Sequence, residues 1–243
     1  MRILIFRHGD PDYANDSLTE RGKKEALLLK KLIPGYHIDQ AYVSPLGRAA
    51  LTAELALEGL AVPRETCWWL REFAPRIRHP DWGDTIAWDW MPDYWTRDKR
   101  FFSLEEWADH ESMQEGGVGE EYGKVIGEFD RVIESHGYER DGMIYRAIRS
   151  NHDTIAFFCH FGVECVLLSR LINISPMLLW HGFCAAPSAV TSIYTEERQR
   201  EKVSFRVDEF GAVPHLMMGG MEPSKRARFV ECFGDTEPDY EHR

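Results

Sequence analysis

Apolar runs and helical-period stretches alternate along the first seventy residues. Ile3-Leu4-Ile5-Phe6 is a continuous apolar run, the pattern of a strand buried on both faces, and the polar Arg7-His8-Gly9 follows it directly. Ser17-Leu18-Thr19-Glu20 carries the Ser-x-x-Glu spacing of a capping box, with Thr19 as the other candidate cap. The periodicity predicts a helix from there to about Leu32, closed by Pro34-Gly35. Residues 40–43 predict a second short strand. Ser44-Pro45 then predicts a helix start, with Ser as the cap and Pro in the first position. That helix is expected to run through Arg48, Leu51, Thr52 and Leu55 to about Glu58, and residues 64–70 read as a third strand. The order so far is β-α-β-α-β.

Regular alternation lapses between Phe73 and Gly117. Five of the eight tryptophans (Trp82, Trp88, Trp90, Trp95, Trp107) lie in this stretch among many acidic residues. Gly116-Gly117 closes it, and residues 120–135 resume as an amphipathic helix. Residues 73–117 are therefore expected to be an insertion folded over the sheet as a partial lid. Its aromatics are expected to build a small local core more than a ligand cage. Residues 154–159 form a second continuous apolar run, which predicts a strand, followed by His160-Phe161-Gly162 and a helix over 163–171. Residues 189–194 and 203–207 predict two late strands joined by a polar turn, and the charged C-terminal tail is expected to fray. The chain, 1–243, reads as one α/β domain with an insertion, and it holds no internal repeat.

Composition narrows the partners. A formal net charge of −11 argues against general affinity for nucleic acid or an anionic membrane, and leaves room for a small anionic ligand at a local cluster of arginines. The five cysteines (Cys67, Cys159, Cys165, Cys184, Cys232) form an odd, scattered set without a CxxC pair, which suits a reducing cytoplasm. Cys159 and Cys165 sit in apolar surroundings and read as small buried hydrophobes. No signal-peptide pattern and no long apolar span is present, so a cytoplasmic location is expected. The oligomeric state stays open.

The candidate chemistry sits at predicted strand ends. A histidine can attack phosphorus through a ring nitrogen, and an arginine can hold phosphate oxygens with two parallel N–H groups. Ligands of open α/β sheets bind outside the carboxyl ends of the strands, so His8 and His160 are expected to meet in one cleft although 152 positions separate them. Arg48 falls in the first turn of a predicted helix, where anions are favoured. A regular strand would point Arg7 and His8 to opposite faces, so the backbone must begin to turn at His8, and Gly9 permits a sharp turn. Other chemistries lack their residues. Cys165 and Arg170 are one residue short of a Cys-x5-Arg phosphate loop, no Gly-rich Walker loop occurs, and no compact His/Cys/Asp set suggests a metal site.

Together these pieces resemble the histidine phosphatase superfamily, the phosphoglycerate-mutase-like group. The matching segments are Arg7-His8-Gly9, Leu18-Thr19-Glu20-Arg21-Gly22, Ser44-Pro45-Leu46-Gly47-Arg48-Ala49, Leu70-Arg71-Glu72, Phe158-Cys159-His160-Phe161-Gly162 and Ala189-Val190-Thr191. The resemblance implies a three-layer αβα sandwich and a metal-independent phosphomonoesterase without a cofactor, acting on a small phosphorylated metabolite. It implies His8 as the nucleophile that forms a phosphohistidine, with Arg7, Arg48 and His160 around the transferred group and Glu72 as proton donor. Asn15 is a further phosphate-binding candidate, one position off the family spacing. On physical grounds nearby cations should lower the pKa of His8, and burial should raise that of Glu72. The lid's acidic residues should repel highly anionic substrates, and its tryptophans, Trp88 and Trp95 among them, should stack on an apolar or ring-shaped leaving group. Phosphoglycerate mutases carry Trp-Asn shortly after RHG and Arg-His-Tyr-Gly after the acid. Here the stretches are Asp10-Pro11-Asp12-Tyr13-Ala14-Asn15 and Phe73-Ala74-Pro75-Arg76. A phosphomutase is therefore the second expectation, and a non-catalytic phospho-ligand binding module the third.

Overall fold

The computed structural model describes residues 1–79 and 83–235. In chain order it begins with β1 (Arg2–Arg7), the short pair β2 (Pro11–Asp12) and β3 (Ser17–Leu18), and α1 (Glu20–Leu32). Next come β4 (Gln40–Val43), α2 (Gly47–Ala56) and β5 (Arg64–Thr66). The insertion holds the antiparallel pair β6 (Arg76–His79) and β7 (Gly83–Ile86) and the short helices α3 (Pro92–Trp95) and α4 (Glu111–Glu115). After it follow α5 (Val118–Ser135), the hairpin β8 (Tyr138–Asp141) and β9 (Ile144–Ala147), β10 (Thr154–Cys159) and α6 (Phe161–Ile172). The last elements are α7 (Pro176–Gly182), β11 (Val190–Gln199), β12 (Lys202–Ala212) and α8 (Pro214–Met218).

Eight strands form the central sheet in the order β5-β4-β10-β1-β11-β12-β9-β8. β5, β4, β10 and β1 run parallel, and β11, β12, β9 and β8 continue the sheet antiparallel. Successive strand residues face opposite sides, so β1 supplies two cores at once. Leu4 and Phe6 pack with Leu29 of α1, Ala53 of α2 and Phe158. Ile3 and Ile5 pack on the other face with Phe129 of α5, Val166 of α6 and Phe157. Helices thus cover both faces of one sheet, which is the expected three-layer αβα sandwich. Trp90, Phe101 and Trp107 of the insertion are buried in the second of these cores. These aromatics accordingly build packing, as expected; Trp82 lies outside the described residues.

Several boundaries differ from expectation, each for a physical reason. Thr19 caps α1 by accepting from Gly22 N at 3.0 Å. α2 begins at Gly47, not at Ser44-Pro45, because the Ser44 hydroxyl is held by His160 and Leu46 takes the cap position. The strand expected over 64–70 stops at Thr66, and Trp68–Leu70 turns as a 3-10 helix that buries Leu70. The late strands are longer than expected, because β11 and β12 extend as a hairpin past the sheet core. The β8–β9 hairpin escapes sequence reading altogether. The C-terminal segment does not fray at Ser224, whose hydroxyl donates to the buried Asp10 carboxylate at 2.6 Å. The end of the tail, 236–243, lies outside the described residues.

Candidate active site

Register explains how two distant histidines meet. β1 and β10 pair in parallel with Arg7 opposite Cys159, so His8 and His160 are the next residues of neighbouring strands. Their ring centroids lie 5.1 Å apart. β4 pairs on the far side of β10 with Val43 opposite Phe158, which brings Ser44 beside His160. The Ser44 hydroxyl and His160 Nε2 are 2.8 Å apart.

The regular strand ends at Arg7, which settles how Arg7 and His8 share a site. Gly9 contributes close approach, not a left-handed turn: a Cβ there would stand 2.7 Å from the Gly22 carbonyl oxygen. His8 Nδ1 lies 2.8 Å from the Gly9 carbonyl oxygen. A carbonyl only accepts, so Nδ1 carries the proton in the neutral ring and Nε2 holds the lone pair.

Arg7 is 6% exposed, donates from Nη1 to the Ala185 carbonyl and lies with Cζ 5.9 Å from the Phe161 ring centroid. Arg48, in the first turn of α2, donates from Nη1 to Asp16 Oδ1 at 2.7 Å and lies 5.4 Å from the Tyr13 ring centroid. Three buried nitrogens here have no hydrogen-bond partner among the described residues: Arg7 Nε, Arg48 Nε and His160 Nδ1. Buried donors are nearly always satisfied, so three orphans beside one histidine mark a place for an acceptor-rich ligand. Burial, with His8, Arg48 and Arg7 nearby, holds the pKa of His160 well below the usual histidine range. His160 is therefore neutral. Leu46 N donates to Ser44 Oγ; when the Ser44 hydroxyl in turn donates to His160 Nε2, the imidazole proton sits on the orphan Nδ1.

Glu72 follows the Trp68–Leu70 turn and faces the start of α6. Its Oε1 accepts from Phe73 N at 2.8 Å and Val163 N at 3.1 Å. With Oε1 engaged twice as an acceptor, Oε2 is the oxygen that carries a proton when the group is neutral. Burial raises the Glu72 pKa above the usual carboxylate range, against the pull of Arg48 and Arg7. The insertion helps to enclose it: Trp88 Nε1 donates to the Phe73 carbonyl at 2.5 Å, and the Trp88 ring meets Phe161 edge-on. Only glycine fits at 162, where a Cβ would stand 2.6 Å from Glu72 Oε1 and 2.7 Å from Trp88 Nε1.

The structure thus brings Arg7, His8, Arg48, Glu72 and His160 together. It does not bring Asn15: that residue is exposed on a 3-10 turn, and its amide donates to Asp12 Oδ2 at 2.8 Å. Trp95 is also turned to other work, stacked on Phe102 and His181. Sequence reading cast Ser44 as a helix cap and passed over Asp16, Tyr13 and Glu164. Glu164 is a buried carboxyl bonded to Thr191, and burial pushes its pKa up to about 7. The SPLGRA segment already held Ser44; nothing local marked Asp16. Among the described residues no group of three or more His, Cys, Asp or Glu side chains is placed to hold a metal ion, and no helix is long and apolar enough to cross a membrane.

Histidines and arginines gathered at the carboxyl ends of parallel strands, inside a three-layer sandwich, place the chain among α/β proteins that act on phosphate esters. It belongs to the histidine phosphatase superfamily (branch 1), whose family model matches residues 3–208. The 2,3-bisphosphoglycerate-dependent phosphoglycerate mutases of Streptococcus sanguinis (strain SK36) and Streptococcus pneumoniae (strain 70585) are 37% identical over 86 residues, 30% of this chain. The chain spans only 37% of the length of these curated relatives. Among solved structures, the α-ribazole phosphatase from Shigella flexneri superposes with a TM-score of 0.54 at 21% identity, over 88% of this chain and 98% of that one. Phosphoserine phosphatase from Entamoeba histolytica gives 0.54 at 17% identity, over 88% and 98%. Mycobacterial glucosyl-3-phosphoglycerate phosphatase gives 0.54 at 18% identity, over 87% and 99%. These likenesses show the shared fold.

Proposed function

We propose that the protein is a metal-independent phosphomonoesterase that hydrolyses a small phosphorylated metabolite through a phosphohistidine on His8. One observation carries the reading: Arg7 Nε, Arg48 Nε and His160 Nδ1 are buried without partners beside His8. A phosphoryl group has three non-bridging oxygens, each an acceptor for one of these donors. Phosphoryl transfer is chiefly positioning and charge stabilisation, which two arginines and a histidine can supply.

In the first step His8 Nε2 attacks phosphorus, and the ester P–O bond breaks as Glu72 Oε2 passes its proton to the leaving oxygen. The alcohol departs. In the second step water attacks the phosphohistidine, its proton returns to Glu72, and the N–P bond breaks to give phosphate and neutral His8. The insertion acts as a partial lid through Trp88, which shields Glu72 in part, and its acidic surface disfavours highly charged substrates. The net charge of −11 speaks against nucleic acid or anionic membrane as partner. The buried free thiols of Cys67, Cys159 and Cys165 suit a reducing compartment, and we take the cytoplasm as its place.

Phosphate release from a panel of monoesters in EDTA, with wild type beside His8→Ala, tests this. Wild type should turn over and His8→Ala should lose at least about 10³-fold in kcat. Activity that requires added metal, or that survives His8→Ala, would overturn the mechanism. The match to phosphoglycerate mutases favours a second reading, a phosphomutase. Isomerisation of a phosphoglycerate that outpaces phosphate release would establish it instead.

A further inference from the structure

Arg48 does not stand alone at the mouth of the site. The Asp16 carboxylate joins two groups at the start of α2: Oδ1 accepts from Arg48 Nη1 at 2.7 Å and Oδ2 from Gly47 N at 2.7 Å. The backbone is shaped for this contact. Asp16 adopts a left-handed conformation, φ 44° and ψ 50°, which Asp and Asn tolerate better than other residues with a side chain. Gly47 completes the fit, because a Cβ there would stand 2.0 Å from the Asp16 carbonyl oxygen. The Asp16 side chain is 45% exposed and that of Arg48 12%. The carboxylate is therefore the more exposed member of the pair at the start of α2, and an ester that brings its phosphoryl group to Arg48 Nε from solvent would extend its leaving group past it.

Three basic side chains on neighbouring elements are already in ion pairs. Arg21 pairs with Glu25 at 3.0 Å, Arg71 with Glu121 at 3.3 Å and Arg226 with Asp10 at 3.6 Å. A leaving group with its own carboxylate or second phosphate would meet Asp16 and find these cations engaged. We propose that Asp16 is a selectivity-determining residue that limits the site to phosphomonoesters whose leaving alcohol is uncharged or carries an amine. This rests on the phosphatase reading, and it separates the chain from enzymes whose leaving groups are acids.

The probes are two phenyl phosphates of similar size and leaving ability, one with a para aminomethyl group and one with a para carboxymethyl group. Wild type should prefer the aminomethyl ester in kcat/KM. Asp16→Asn keeps the shape, the left-handed backbone and an acceptor for Gly47 N, and removes the charge. It should shift the preference toward the carboxymethyl ester by at least about tenfold, as expected for one charge removed within a few ångströms of another. Asp12→Asn removes a charge from the same loop and should shift it far less. Equal use of both esters by wild type, an unchanged preference in Asp16→Asn, or an equal shift in Asp12→Asn would each overturn the proposal. Loss of both activities in Asp16→Asn with an unchanged melting temperature would overturn it too, because Asp16 would then serve only to hold Arg48. Should wild type hydrolyse neither ester, the phosphatase reading fails by itself. Calorimetric affinities for the same two esters then decide the filter: equal affinities in wild type refute it, and a charge preference erased by Asp16→Asn upholds it.

Discussion

At the scale of single residues the site divides protons by hydrogen bonding. The Gly9 carbonyl holds the His8 proton on Nδ1, and two backbone N–H groups on Glu72 Oε1 leave Oε2 for the mobile proton. Because burial raises the Glu72 pKa, its acid form extends to higher pH than an exposed glutamate's. Turnover of alkyl esters needs that acid form, so kcat/KM should fall as pH rises through the raised pKa. Glu72→Gln should lose about 10²–10⁴-fold on an alkyl ester and far less on 4-nitrophenyl phosphate, whose leaving group needs little protonation. pH–rate profiles check this, and a basic limb that persists in Glu72→Gln would rule out the assignment. His8, Arg48 and His160 were legible because each stands at a fixed offset from an apolar strand or a Ser-Pro turn. Asp16 was not, because its meeting with Arg48 spans 32 positions and depends on tertiary closure. Asn15 was the converse case, a plausible neighbour in sequence whose amide is drawn to Asp12.

At the scale of elements, legibility followed burial. β1 and β10 are buried throughout apart from Arg2, so their apolar runs announce them. β9 alternates exposed and buried residues over only four positions and β8 is mostly polar, so neither departs far from a loop in composition. α2 misled because Ser44-Pro45 is good capping chemistry, yet the Ser44 hydroxyl is tied to His160. The insertion is anchored by an element that sequence reading also missed, α7. His181 of α7 donates from Nδ1 to the Met177 carbonyl at 2.8 Å, accepts from Trp90 N at Nε2 (3.3 Å) and stacks on Trp95. Acceptance from Trp90 N requires the neutral ring, whereas the bond to Met177 survives protonation, and burial lowers the His181 pKa from 6.5 to about 4. A lowered folded-state pKa means that the unfolded chain binds the extra proton first, so stability rises with pH across this window. The contribution should be complete above about pH 6.5 and be lost as pH falls toward about 4. The hydrogen-exchange protection factor of the Trp90 amide, corrected for the intrinsic rate at each pH, should fall over that range before global unfolding, and His181→Gln should flatten the dependence. Trp90 protection that does not change between pH 7 and 4 would refute the anchor.

At the scale of the molecule, distant parts of the chain converge on one loop. Asp10 follows the RHG segment and accepts from Thr19 Oγ1 at 2.8 Å and from Ser224 Oγ at 2.6 Å, 214 positions away. Arg226 Nη1 donates to the Pro11 carbonyl at 2.7 Å. A buried hydrogen bond to a charged group contributes about 1.5–3 kcal/mol, so Ser224→Ala should destabilise the fold by about that amount. For a chain of this length that is a fall in melting temperature of several degrees, readable by calorimetry, and an unchanged melting temperature would remove the clasp from the account.

The adjacency of β1 and β10 has a consequence in time as well as in space. His8, the proposed nucleophile, lies among the first ten residues of the chain, but His160 follows a strand that arrives some 150 residues later. During synthesis from the N-terminus, His8 therefore waits as an ordinary exposed imidazole until β10 leaves the ribosome and slots beside β1. On the proposed mechanism, turnover would report that this parallel pairing, across some 150 residues, has closed.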